Sequence, residues 1–377
     1  MRRQEPESRR QESEVINSKL TMTTTTSNKN RTYIASFAVV PGPYVADQAF
    51  AEEFMKTHYG GRLNSRSMGL ITTCFSHPSI SKRHFAIDDP LELVDEDPDR
   101  RIERFTKRSV DLSAEAITSA LDRAGVGVKD VSAIVVNTCT GYICPGISTY
   151  LIERLGLSRS IRAFDMVGSG CGGTVPNLQA AQALVRDGGV VVSVSVEICS
   201  ATLQMGNDLS LILSNALFGD GASAAVLSDR PAGWELVASA TRYVPEQRET
   251  IRYVHKKGQL HNQLSLKLPD LVKKAAAEVV AEVLKKQSLA VGEVKHWALH
   301  TGGEKIINAV RDEICIPEER LVATRKVLSE FGNMSSPTVW FVMDEIGRNG
   351  VAPGDWCVMI AYGAGLSAHA YLLRKMP

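Results

Sequence analysis

The sequence predicts a mixed α/β fold assembled from two similar halves, and three observations carry that prediction. A βαβ unit is legible as strand Ile161–Val167, a glycine turn, helix Thr174–Asp187 and strand Val190–Glu197. The alternation returns in the last third. There helix Leu268–Lys286, strand Trp297–His300, helices Glu304–Glu313 and Thr338–Gly347, and strands Trp356–Ala361 and Leu366–Leu373 follow one another. Finally, Gly219-Asp-Gly-Ala-Ser-Ala and Gly363-Ala-Gly-Leu-Ser-Ala each open a terminal apolar strand, while Cys171 and Asn333 each sit in a glycine-rich turn ahead of a helix. Chance likeness between glycine-rich turns is the competing explanation.

Residues 1–31 mix seven basic and four acidic side chains with a threonine run, and read as a disordered tail. Order begins with the strand-like Thr32–Val40. The acidic stretch Asp88–Asp99 is expected at the surface, leading into a helix over Arg100–Gly125 with its buried face at Ile102, Phe105, Val110, Leu112, Ile117 and Leu121. Gly125 suits the left-handed stop of that helix. Ala133–Thr138 is a short unbroken apolar run, as a strand covered on both faces requires, and Ala222–Leu227 is another strand. The expected units are therefore 32–233 and 234–377.

Of the 377 residues, 44% are apolar and 23% charged, enough to build a large core. Lys plus Arg (43) nearly cancels Asp plus Glu (42), which argues against a nucleic-acid binder working by phosphate neutralisation. No apolar stretch approaches the ~18 residues needed to span a bilayer. Seven cysteines with no CxxC pair read as reduced thiols in a cytoplasmic protein.

Three chemistries compete for the motifs. Gly168-Ser-Gly170-Cys-Gly-Gly173 matches GxGxxG between a strand and a helix, with the acidic Glu197 ending the next strand, as in a dinucleotide cradle. In the second reading Cys171 is the point of the motif: a helix start favours the thiolate, and flanking glycines leave an acyl group room to approach. A buried, inert cysteine remains the plain alternative. A metal site on Cys139 and Cys144 has the wrong spacing and no nearby histidine.

A reactive thiol needs a partner. His58, His77, His84, His255 and His261 fall in polar segments and read as surface residues, whereas His300 ends an apolar strand beside Thr-Gly-Gly, where a catalytic base would sit. Asn333, in Phe-Gly-Asn-Met-Ser-Ser, offers an amide donor or simply a helix cap.

At these residues the chain resembles the type III polyketide synthases, the chalcone synthase-like family. The resemblance rests on Ala323-Thr-Arg-Lys-Val-Leu-Ser-Glu-Phe-Gly-Asn-Met-Ser-Ser336, His300-Thr-Gly-Gly303, Gly170-Cys171 before Gly-Gly-Thr174, and Ala216-Leu-Phe-Gly-Asp-Gly221, and covers about residues 32–375. It implies a thiolase-like αβαβα five-layer fold, with Cys171 as nucleophile and His300 and Asn333 completing a triad. Phe218 would be a gatekeeper. Cys139, Thr140, Glu197, Cys199, Thr202 and Ser335 would face the substrate, and Cys144-Pro-Gly146 would reach across a homodimer. The implied substrates are an acyl-CoA starter and malonyl-CoA, joined by decarboxylative Claisen condensations with no cofactor and no metal. His300 would be the ion-pair partner of a Cys171 thiolate.

The chain departs from the family at Thr301, at Ala361-Tyr-Gly-Ala-Gly365 and in a shorter loop after Cys171. The family's basic cluster for CoA phosphates is missing around Leu70–His77, leaving Lys82 and Arg83 close by. A second gatekeeper position falls near Asn262, which would widen the entrance and suit a fatty or alkyl starter. Closure to an alkylpyrone, or to a resorcinol- or phloroglucinol-type ring, stays open. The rival functions are a single-condensation 3-ketoacyl synthase or thiolase-like enzyme, a Cys/His/Asn hydrolase, a non-catalytic scaffold and a Rossmann oxidoreductase.

Overall fold

The computed structural model describes residues 31–377; apart from Arg31, the tail expected over 1–31 lies outside the described residues. The first strand, β1 (Tyr33–Pro41), is followed by a layer with no periodic signal: β2 (Tyr44–Asp47), α1 (Gln48–Tyr59), α2 (Ser65–Phe75) and β3 (Lys82–Phe85). Helix α3 (Pro98–Ala124) starts two residues earlier than the periodicity predicts. Asp97 accepts from the Asp99 and Arg100 N–H groups and Pro98 sits at the first helical position, while Gly125 closes the helix at φ 62°. Ile102, expected in the buried face, is instead 38% exposed.

Then come β4 (Val131–Asn137), α4 (Ile147–Leu155), β5 (Arg162–Met166), α5 (Thr174–Val185), β6 (Val190–Glu197), α6 (Leu209–Leu217) and β7 (Gly221–Ser228). The second half opens with β8 (Trp234–Tyr243) and the hairpin β9 (Ile251–Lys256) and β10 (Gln259–Leu264). It continues with α7 (Leu268–Lys285), β11 (His296–Leu299), α8 (Glu304–Ile314), α9 (Val322–Phe331), α10 (Thr338–Arg348), β12 (Trp356–Gly363) and β13 (Ser367–Lys375). Elements that the apolar pattern did not announce include α4, α6, β8, the hairpin and α9.

Nine strands run in the order β11-β12-β13-β8-β1-β7-β6-β4-β5. At the joint, β1 and β8 pair only through Tyr33 with Glu235 and Ile34 with Trp234, so the sheet is really two half-sheets. Their topology repeats. β4 is parallel to β6, and β7 and β1 follow antiparallel; β11 is parallel to β12, and β13 and β8 follow antiparallel. Only β5 lacks a counterpart. The echoing glycine strings open the matching strands β7 and β13, and α5 and α10 are the matching helices that lead into β6 and β12.

Three apolar clusters establish the layers. α5 (Val175, Leu178, Ala181) and α10 (Val339, Trp340, Met343) share one core with residues of both half-sheets, such as Val135 and Met359. The outer face of the first half-sheet packs on α3 and α4 through Ile117, Leu121 and Leu151. The outer face of the second packs on α7 and α8 through Val279, Val283 and Ile307. Helix, sheet, helix, sheet, helix is the αβαβα order that the resemblance implies.

Candidate active site

Cys171 stands in a single 3-10 turn, Gly170–Gly172, that feeds α5 through the Gly173 N–H to Gly170 O bond (3.0 Å). The glycines here are not open approaches for an acyl group. A Cβ on Gly172 would come 3.0 Å from His369 Cδ2, one on Gly173 2.6 Å from Asn137 Nδ2, and one on Gly363 2.3 Å from Ser169 O and 2.4 Å from Gly172 N. The turn is thus packed backbone to backbone against the end of β12. Those same neighbours fill the space that a pyrophosphate would need, so the dinucleotide reading fails. Only Gly168, at φ 90°, has nothing within 4 Å of its missing Cβ.

Burial overrides the helix start at this sulfur. Cys171 is 7% exposed, and burial pushes its thiol up to about 12, the nearby Ser335 and Asn333 pulling the other way. His300, at the tip of β11, is likewise buried and drawn down to about 3. Burial thus disfavours both charged forms, working against the ion pair expected from the sequence. His300 is held by its N–H to Ile360 O (2.9 Å) and by the Tyr362 hydroxyl donating to His300 O (2.6 Å). Its Nδ1 is buried without a partner. The Tyr362 ring lies edge-on to the imidazole, 5.2 Å between centroids, and its phenol is raised by burial.

Asn333 belongs to the second half and precedes α10 as Cys171 precedes α5. Gly332, at φ 69°, turns the chain, and Phe218 and Asn333 form a bridge in which Asn333 N–H donates to Leu217 O and Gly219 N–H to Asn333 O, both 3.0 Å. The Asn333 amide oxygen accepts the Ser335 N–H at 2.7 Å. That fixes the flip and leaves the NH2 as the amide's donor end.

Glu197, fully buried at the end of β6, gathers the remaining polar residues. It accepts from Cys139 N (2.9 Å), Thr140 Oγ1 (2.9 Å), Thr138 Oγ1 (3.2 Å), Ser336 Oγ (2.6 Å) and Ser335 Oγ (3.4 Å). Burial still raises its carboxyl above the ordinary value. Ser335 Oγ also touches Cys139 Sγ at 3.4 Å, so Cys139, Glu197, Ser335 and Cys171 form one cluster.

A cavity of about 850 Å³ opens from Cys171; Cys139, Thr140, Thr202, Phe218 and Ser335 all line it. That volume lies in the ~300–1,000 Å³ range of small-molecule sites. Cys199 is buried beside it, with Phe218, Thr202 and Asn262, around a neighbouring small pocket. Asn262 lines both, on the hairpin that forms the cavity wall.

Cys144 is exposed and lies outside the lining of this chain's own cavity. Other expectations are not met. Lys82 is paired with Glu330 at 2.6 Å and Arg83 is buried, so neither is free for a phosphate. His84 is no surface residue: it is half-buried, stacked on Phe331 at 4.8 Å. Sequence reasoning missed Tyr253 on β9, whose hydroxyl lies 3.3 Å from Thr202 Oγ1; nothing in its polar stretch signals a cavity residue. It also missed Tyr362, although the departure at Ala361-Tyr-Gly-Ala-Gly365 pointed there.

Residues 25–288 match the family described as "FAE1/Type III polyketide synthase-like protein", and 235–377 match "Chalcone and stilbene synthases, C-terminal domain". The chain is 28% identical over 320 residues to a 3,5-dihydroxyphenylacetyl-CoA synthase of Streptomyces toyocaensis, covering 81% of this chain and 82% of that one. It is 30% identical over 272 residues to a 1,3,6,8-tetrahydroxynaphthalene synthase of Streptomyces peucetius subsp. caesius, covering 70% and 72%. The crystal structure of PKS-I from the brown alga Ectocarpus siliculosus superposes with a TM-score of 0.83 at 25% identity, over 92% of this chain and 98% of that one. The tetrahydroxynaphthalene synthase of Streptomyces coelicolor A3(2) shares the fold, with a TM-score of 0.84 at 20% identity over 91% and 99%.

Proposed function

Since the chain belongs to the type III polyketide synthases, chalcone- and stilbene-synthase-like acyltransferases, we propose that Cys171 takes an acyl starter from CoA and extends it with malonyl-CoA. The observation that carries this reading is a buried thiol at the wall of an 850 Å³ cavity that Ser335 of the opposite half also lines.

Burial disfavours the charged forms of both groups, so His300 acts as general base toward the Cys171 thiol. As the sulfur attacks the thioester carbonyl, its proton passes to the imidazole; the CoA sulfur leaves and is protonated in turn. Malonyl-CoA then loses CO2, and the electron pair of the broken C–C bond becomes a thioester enolate. The Asn333 NH2, aimed by the Ser335 N–H, donates to the enolate oxygen. The enolate carbon attacks the acyl-enzyme and the Cys171 thiolate departs. Sulfur, imidazole and amide serve every step without a cofactor, Cys171 coming from the 32–233 unit and the other two from 234–377.

Ring closure goes to the Glu197–Ser335–Cys139 cluster, whose carboxyl and hydroxyl lie within hydrogen-bond reach of each other, and the product is a pyrone or a resorcinol- or phloroglucinol-type ring. Asn262 at the entrance supports an alkyl starter. The enzyme works as a homodimer in the cytoplasm. All seven cysteines are free, and β5 is an edge strand with Phe164 47% and Val167 58% exposed beside the Cys144 segment. Among the described residues no helix is long and apolar enough to cross a membrane.

The test is incubation with malonyl-CoA and short, long and aromatic acyl-CoAs, reading products and intact-protein mass. Products carrying several malonyl-derived units and a starter adduct lost in Cys171→Ala are expected. A single condensation, free acid without CO2 release, or an adduct surviving in that variant overturns the reading.

A further inference from the structure

Arg83 is an arginine that the site described so far does not use. It lies on β3 at 1% exposure, with its guanidinium 5.3 Å from the Phe75 ring and 5.1 Å from the Phe85 ring. Its nearest carboxylate influence, Asp220, is already engaged by the Ala86 N–H and by Ser200. What compensates this buried cation is the end of α6.

The last carbonyls of a helix have no partner within the helix. In α6, Ser214 O takes the Phe218 N–H (2.9 Å), Asn215 O takes Arg83 Nη1, and Ala216 O takes Gln48 Nε2 (3.2 Å). Leu217 O takes the Asn333 N–H (3.0 Å), and Phe218 O takes Arg83 Nη1 again (3.0 Å). Gln48 Oε1 in turn accepts from Arg83 Nε at 3.1 Å. A cation at a helix C-terminus is also favoured by the macrodipole. The Arg83 stem then packs on Gly332, where a Cβ would lie 3.0 Å from Arg83 Cγ and 2.5 Å from Leu217 O.

We infer that Arg83 is a positioning residue: with Gln48 it caps α6 and fixes the register in which Phe218, on the cavity wall, is bridged to Asn333. The inference rests on the proposed role of Asn333. Arg83 touches no reacting atom, and none of its hydrogen bonds reaches α5, from which Cys171 hangs. Its loss therefore falls on the malonyl step, which needs the Asn333 amide, and spares acylation of the sulfur.

The experiment compares wild type with Arg83→Met, which keeps the stem and loses the donors, and with Arg83→Lys. It reads malonyl-CoA decarboxylation, starter acylation of Cys171 by intact mass, and amide hydrogen exchange. In folded Arg83→Met, decarboxylation is expected to fall at least tenfold while acylation stays within threefold, with Arg83→Lys in between. The Asn333 and Gly219 amides should exchange at least tenfold faster, with those of α5 unchanged. Equal losses in both reactions, or unchanged exchange at Asn333, overturn the inference. If Arg83→Met does not fold, Gln48→Leu is expected to show the same split at about threefold, and no split there is equally fatal. Should wild type fail to decarboxylate malonyl-CoA, the polyketide reading falls and the exchange pattern still decides the cap.

Discussion

Asn333 spends its amide oxygen on the Ser335 N–H, so removing the side chain deletes one oriented donor and little else. Asn333→Ala should lower malonyl-CoA decarboxylation about 100-fold or more, the usual loss of an oxyanion donor, with starter loading much less affected. Equal loss in both steps would remove Asn333 from its assigned place. Cys171 gives a second prediction. With the thiol raised to about 12, the thiolate fraction is small at pH 7 and grows about tenfold per pH unit. Iodoacetamide alkylation of Cys171 in the free enzyme should still be climbing above pH 9, where an ordinary thiol levels off; a plateau below pH 7 would mean that the standing ion pair exists after all. Cys171, His300 and Asn333 were legible because each lies in a short contiguous string. Arg83, Tyr253 and the deep burial of the Cys171 and His300 side chains were not, because their partners lie far away in sequence and burial is a property of the folded chain.

The turn before α5 is built by exclusion of side chains, and glycines there answer differently from glycines elsewhere. Gly363→Ala would drive a methyl into Ser169 O and Gly172 N, backbone atoms that cannot swing aside. A loss of about 1–3 kcal/mol is expected, with slower acylation of Cys171 as the turn shifts. Gly347→Ala, on the exposed face of α10 with nothing within 4 Å, should stabilise the protein by about 0.5–1 kcal/mol. Chemical denaturation of both variants checks the pair, and a destabilised Gly347→Ala would undo the argument. At this scale the sequence spoke wherever apolar residues repeated, as along α3, α7 and β6. It was silent on β2 and β3, which are buried by α1 and α2, and on the β9–β10 hairpin, which borders the cavity; none has a period of its own.

Across the molecule, buried ionisable groups make stability depend on pH. His300 and His369 are held neutral by burial, drawn to about 3 and about 4, whereas both titrate near 6.5 when unfolded. Below pH 6.5 the unfolded chain binds protons that the native chain refuses, so stability drains as pH falls towards 4. Glu197 and Asp220, raised by burial, act with the opposite sign: their contribution is lost as pH rises through their folded values. A difference isolates one group. His369→Gln should lose less melting temperature than wild type between pH 7 and pH 5, and identical losses would refute the assignment. The two-residue hem between β1 and β8 has a further consequence. Sulfur and carboxamide are aligned less by strand pairing than by α5 leaning on β13, where the Tyr371 hydroxyl donates to Gln182 Oε1 at 2.9 Å, and by α10 packing on β1 and β7. Gentle warming should therefore silence turnover at temperatures where far-ultraviolet circular dichroism is still intact, and cooling should restore it, the enzyme failing first as a misaligned instrument and only later as a melted one.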